Sequence, residues 1–122
     1  MHKHGRGIGL SPGFWIRIWI LVALGDKELH GYELINKISE ILPGIIAKGI
    51  GGMGRGYRIL RELEIQGLIT SYWDIDKRGP ARRIYKLTPK GKEVRKESIE
   101  YIKELKEYIE RFLEIAERDE KE

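Results

Sequence analysis

The segment from Gly54 to Gly91, GRGYRILRELEIQGLITSYWDIDKRGPARRIYKLTPKG, leaves this chain few ways to fold. Tyr57, Leu60 and Leu63 recur at helical spacing and share one face. Gly67 follows as a helix stop. Leu68–Ile75 is rich in β-branched and aromatic residues, with Ile69, Trp73 and Ile75 on one parity, which predicts a strand. Asp76–Ala81 is turn chemistry. Ile84–Leu87 resumes a strand, with Tyr85 and Leu87 toward the core and Arg82, Ile84 and Lys86 outward. Thr88 and Pro89 then supply an N-cap and a proline at the first helical position. A helix followed by a two-stranded antiparallel ribbon with a cationic tip predicts a winged helix-turn-helix. The helix suits the major groove and the tip suits the phosphate backbone.

The flanking segments fit that plan. Met1–Pro12 has three glycines and no period, as in a mobile tail, and is too polar for a signal peptide. Phe14–Leu24 is nearly all apolar, with Arg17 its only charge. It is too short to span a bilayer and reads as a buried helix stopped by Gly25. Trp15, Ile18, Trp19 and Val22 form one stripe on it. That stripe serves core or dimer packing, or else Trp15 and Trp19 offer an aromatic wall to a flat apolar effector. Asp26–Pro43 holds a second helix with Leu29, Tyr32, Leu34, Ile35, Ile38, Ile41 and Leu42 on its apolar face, ended by Pro43-Gly44.

Gly49, Gly51 and Gly54 spell G-x-G-x-x-G, with Asp74 twenty residues further on. A dinucleotide fold is excluded, because it needs several βαβ units and the chain has room for one at most. Gly49–Gly56 is instead expected to be a flexible turn whose freed backbone N–H groups open the recognition helix and can meet a DNA phosphate. Lys48, Arg55, Arg58 and Arg61 surround that point. Arg55, Arg58 and Glu62 point away from the Tyr57/Leu60/Leu63 face, and Arg61 lies between the two faces. A merely solvated charged face is the plainer account of these arginines.

From Pro89 to about Glu117 runs one long helix. Val94, Ser98, Tyr101, Leu105, Tyr108, Phe112 and Ile115 step by alternating fours and threes, a heptad seam that Ile102, Ile109 and Ala116 widen. One small winged helix cannot cover so long a seam, so a homodimer is expected, alongside packing on the tryptophan helix. The organisation is therefore a tail at 1–12, a winged helix at 13–88, an assembly helix at 89–117 and a disordered tail at 118–122.

Charge follows the same division. Residues 1–92 carry 16 Lys and Arg against 8 Asp and Glu, whereas residues 93–122 carry 7 against 11. A basic body with an acidic assembly segment suits a nucleic-acid binder. With no cysteine, disulfide scaffolds and zinc fingers are excluded, in keeping with a cytoplasmic protein. Nothing completes a metal site around His2 and His4. No Cys/His pair, serine-containing elbow or metal-spaced cluster is present, and the Asp and Glu residues fall on exposed helix positions or in the wing, so no enzyme and no cofactor are expected. Abundant Ile, Glu and Lys accord with a thermophilic source.

In order and spacing, several pieces of the chain resemble PadR-type transcriptional regulators. They are His30-Gly31-Tyr32-Glu33-Leu34, Gly54-Arg55-Gly56-Tyr57, Leu60 with Leu63-Glu64, Gly67-Leu68-Ile69, Trp73, and Gly79-Pro80-Ala81-Arg82-Arg83-Ile84-Tyr85-Lys86-Leu87-Thr88 with Gly91. The chain departs from the family pattern at Arg55, Gly56 and Arg58, where serine, leucine and proline are usual. The resemblance implies a mostly helical α+β fold, with the second helix bracing the recognition helix and bringing His30 and Tyr32 toward phosphate. It implies that Tyr57 belongs to the DNA-binding surface and that Lys77, Arg78, Arg82 and Arg83 of the wing touch the backbone or minor groove. It also implies a homodimer on an inverted-repeat operator in double-stranded DNA, acting as a repressor. The competing expectation is a winged-helix module that binds protein rather than DNA.

Overall fold

A computed structural model describes residues 11–41, 50–75 and 79–121. The elements run α1 (Pro12–Leu24), β1 (Leu29–His30), α2 (Gly31–Ile41), α3 (Ile50–Ile65), β2 (Ile69–Asp74), β3 (Arg82–Leu87) and α4 (Pro89–Lys121). Among the described residues no helix is long and apolar enough to cross a membrane.

Local chemistry sets most of the boundaries. Ser11 caps α1 by accepting from the Phe14 N–H at 3.1 Å, and Gly25 ends it with φ at 48°. At the end of α3, Gly67 has φ of 81°, a conformation that favours glycine. There Leu68 N–H returns to the Leu63 carbonyl at 3.0 Å and Gly67 N–H to that of Glu64 at 3.0 Å, closing the last turn. Thr88 caps α4 through its hydroxyl, which accepts from Gly91 N–H at 2.9 Å.

The sheet has three strands rather than the two expected, in the order β1-β3-β2 and antiparallel throughout. The added strand is only Leu29–His30, pairing with Tyr85 and Ile84. Two residues carry no readable alternation, which is why Leu29 reads from sequence as part of the apolar face of the second helix rather than as a strand. β2 and β3 pair from Ile69–Leu87 to Asp74–Arg82.

The core joins Ile16, Ile20 and Leu24 of α1, Leu34, Ile35 and Ile38 of α2, Leu60 and Leu63 of α3, and Ile69, Tyr85 and Leu87 of the sheet. On α1 the innermost stripe is thus Ile16/Ile20/Leu24 rather than Trp15/Ile18/Trp19/Val22, of which only Ile18 is buried. On α3 the buried positions are Gly56, Ile59, Leu60 and Leu63, so Ile59 takes the inward place expected for Tyr57. The true period of 3.6 residues favours that set over a strict three-residue step.

Two further expectations are corrected. Residues 50–56 are helical, not a flexible turn; Gly49 and Lys48 lie outside the described residues. Four glycines there oppose helix formation, but Gly56 shows what one of them does. A Cβ at Gly56 would stand 2.5 Å from Ile35 Cδ1, so its absence lets α3 seat closely on α2. At the other end α4 continues to Lys121, through residues expected to be disordered, because Arg118–Lys121 contains no proline or glycine to stop it.

Candidate nucleic-acid interface

Three elements bring the basic residues together. Gly31 opens α2 in close contact with Tyr57 of α3 and Tyr85 of β3, where an added Cβ would meet their rings at 3.3 and 3.2 Å. This glycine seats the N-terminus of α2 against the recognition helix and the sheet. Tyr57 is partly exposed at that junction.

On α3, Arg58 and Arg61 are exposed and Arg55 is half-buried. Arg61 is therefore outward, not intermediate, and Arg55 sits at the edge. Glu62, expected to point freely outward, is held by Arg17 of α1 and lies 3.9 Å from Arg58 Nε. Exposed pairs of this kind contribute little stability, but this one leaves Arg58 partly neutralised and Arg61 the more open cation.

The wing is braced to both helices. Arg83 Nη1 stands 3.8 Å from Glu64 of α3, and its guanidinium lies 4.9 Å from the centre of the Trp73 ring. Ser71 also donates to Glu64 at 2.6 Å. Trp73 and Arg83 are opposite one another on the ribbon, on the same side as buried Ile69 and Leu87. That side outruns the core toward the tip, so Trp73 is 55% exposed despite its inward parity. Arg82, on the other side, sits 5.2 Å from the centre of the Tyr32 ring and donates to the Tyr32 hydroxyl at 3.3 Å. Lys77 and Arg78 lie outside the described residues.

His30 stands between two carboxylates. Its Nδ1 is 3.0 Å from Glu33 Oε1 and its Nε2 is 3.1 Å from Asp74 Oδ2. Its own N–H donates to Glu33 Oε1 at 2.8 Å, the return half of a capping box. The Asp74 hydrogen bond, then that of Glu33, holds the imidazole pKa above its ordinary 6.5. The same His30 bonds, backbone first, hold the Glu33 carboxyl below its ordinary value. In sequence Asp74 stands out only as part of the excluded dinucleotide pattern. Only the strand register, which sets it across from Arg82, puts it near His30.

The remaining candidates are dispersed. Val94 is half-buried against the core and Tyr101 packs edge-on to Phe14 with centroids 5.7 Å apart. Ile102 and Leu105 are half-buried, whereas Tyr108, Ile109, Phe112 and Ile115 are exposed. Trp15 stands edge-on to Phe14 and Trp19 packs at the border of the core. The cavity of about 380 Å³ beside α1 lies at its other end, lined by Val22, Gly25, Lys27 and Arg95. Among the described residues no group of three or more His, Asp or Glu would hold a metal.

Comparison with known proteins agrees with this fold. The transcriptional regulator PadR-like family matches residues 20–97. A solved protein described as conserved, of unknown function and a potential transcriptional factor is 33% identical over 91% of this chain and 95% of its own, with a TM-score of 0.75. A PadR family transcription regulator from Clostridium difficile is 27% identical over 81% of this chain and 98% of its own, with a TM-score of 0.68. PadR of Bacillus subtilis, solved in complex with operator DNA, is 25% identical, with a TM-score of 0.59; 70% of this chain covers 46% of that one. No curated protein sequence matches.

Proposed function

This chain belongs to the PadR-like family of transcriptional regulators, and on that premise we propose that it is a homodimeric, sequence-specific DNA-binding repressor. The observation that carries the DNA reading is the bracing of the wing. Arg82 is tied to Tyr32 at the start of α2, and Arg83 to Glu64 of α3. Wing, α2 and recognition helix therefore present their cations as one surface. The relative solved with its operator supports double-stranded DNA as the partner.

In this reading Arg58 and Arg61 supply base-edge contacts, for which guanine is the best-matched base. Arg82 contributes phosphate neutralisation, which fixes position and carries no sequence information. The exposed apolar seam of α4 supports pairing with a second copy, since a patch of that kind is rare on soluble monomers. A two-fold pair sets two recognition helices on an inverted repeat, with half-sites about one helical turn apart or a multiple of it. Repression needs only occupancy of such a site.

Recovery of bound chromosomal fragments tests the reading and names the operator. On that fragment Arg58→Ala should cost about 1–3 kcal/mol, with little change on random duplex. Arg82→Ala should weaken both alike and lower the salt slope by about one unit. No enriched fragment, together with no binding to random duplex, would sink the proposal in favour of a protein-binding module.

A further inference from the structure

We propose that His30 is a positioning residue for DNA binding: its imidazolium ties the wing to the start of α2, so affinity for duplex DNA falls as the ring loses its proton. This rests on the DNA-binding reading above.

The geometry fits only the charged ring well. A neutral imidazole has one N–H and one lone pair. Here each ring nitrogen faces a carboxylate oxygen, at 3.0 Å on Glu33 and 3.1 Å on Asp74. A neutral ring can donate to one of them and must turn its lone pair on the other. Imidazolium donates to both. The Asp74 bond spans the sheet from β1 to β2 across β3, on which Ile84 is the cross-strand partner of His30. It is the tie between α2 and the far strand of the wing.

His30 also orders its neighbours. Its ring stacks on Tyr32, with centroids 5.4 Å apart and planes 28° apart. Tyr32 in turn receives Arg82 on its face and on its hydroxyl. Arg82 also lies opposite Asp74 in the strand register. Among the described residues, the charged and titratable groups around His30 are Glu33 and Tyr32 from α2, with Lys37 acting on Glu33, Asp74 and Tyr72 from β2, and Arg82 from β3. Tyr72 is occupied by Glu28, to which it donates. Loss of the His30 proton leaves Glu33 and Asp74 without their shared cation, beside the surface that must meet phosphate.

The sign follows from the raised pKa of His30. The tie is fully present below the ordinary value of about 6.5 and is lost as pH rises through the higher folded value. DNA phosphates favour the same protonated form, so binding and protonation reinforce one another.

Fluorescence anisotropy of the full chain with a random-sequence duplex of about 30 base pairs, at fixed low salt, tests this at about pH 6 and about pH 8.5. Wild type should bind about fivefold or more weakly at the higher pH. Asp74→Asn should lose most of that ratio and His30→Gln nearly all of it. Wild-type affinity that ignores pH, or a His30→Gln protein that keeps the wild-type ratio, would overturn the proposal. A ring-proton titration of the free wild-type protein needs no variant, and a His30 pKa at or below the ordinary value would overturn it too. If wild type bound no duplex at either pH, the DNA-binding reading itself would fail. Binding without pH dependence would remove only the clamp.

Discussion

From Pro89 to Ile102 one face of helix α4 is buried or half-buried on the winged helix, whereas from Lys103 to Lys121, half-buried Leu105 and Ala116 apart, the same spacing of apolar residues stands in solvent. In the first half Gly91 is buried against the backbone of Leu68, Val94 packs on the core and Tyr101 meets Phe14. In the second half Tyr108 is 71% and Phe112 64% exposed, with Ile109, Leu113 and Ile115 about half exposed. One heptad seam therefore has two fates. Its period says that one face of the helix is apolar; what covers that face depends on how far the rest of the fold reaches. The winged helix reaches about as far as Tyr101, and the proposed second copy would cover the remainder.

The largest effect should separate the halves at Gly91. A Cβ there would stand 1.9 Å from the Leu68 carbonyl oxygen, which already accepts from Thr88 N–H at 3.1 Å. Neither backbone can yield, so Gly91→Ala should lower stability in urea melts by about 3 kcal/mol or more. A loss below about 1 kcal/mol would mean the two backbones are not so closely seated.

Next in size is the outer half. Leu105→Glu with Phe112→Glu should halve the mass by light scattering and weaken operator binding by about a hundredfold, because the second half-site is no longer engaged intramolecularly. Cutting the chain after Lys92 is a blunter test, since it also removes Val94 and Tyr101. A cut after Ile102 keeps both. A soluble monomer from any of these three variants with full operator affinity would remove α4 as the assembly element and the inverted repeat with it.

Within that charged double-variant background the halves can be compared directly. Val94→Ala should cost about 1–2 kcal/mol of thermal stability, as a truncation at the edge of a core. Ile115→Ala should stay within about 0.5 kcal/mol, as a surface change. Equal losses would erase the distinction. The smallest effect is the Phe14–Tyr101 contact, where a double-mutant cycle to alanine should return a coupling of about 0.5–1.5 kcal/mol.

Much of the fold that carries the candidate interface was legible in sequence because its signals are local. Gly67, Thr88-Pro89 and the alternation that buries Tyr85 and Leu87 act within a few residues of themselves. So the recognition helix, the ribbon and the start of α4 could be placed from the chain alone, and the arginines with them. The glycine-rich stretch misled because propensity was read without packing: residues 50–56 look like a turn until Gly56 is seen against Ile35. Arg61 and Glu62 exchanged roles for a related reason, since which helical face is inward is settled by the neighbours of α3.

Sequence by itself determined that this is a winged helix with a basic body and a long seamed helix, because period, caps and charge are properties of consecutive residues. Tertiary structure alone decided that Arg17 would hold Glu62, that Asp74 would cross the sheet to His30, and that the seam would be half covered. Each of those is a contact between residues distant in the chain, and its geometry exists only once the strand register and the helix crossings are set.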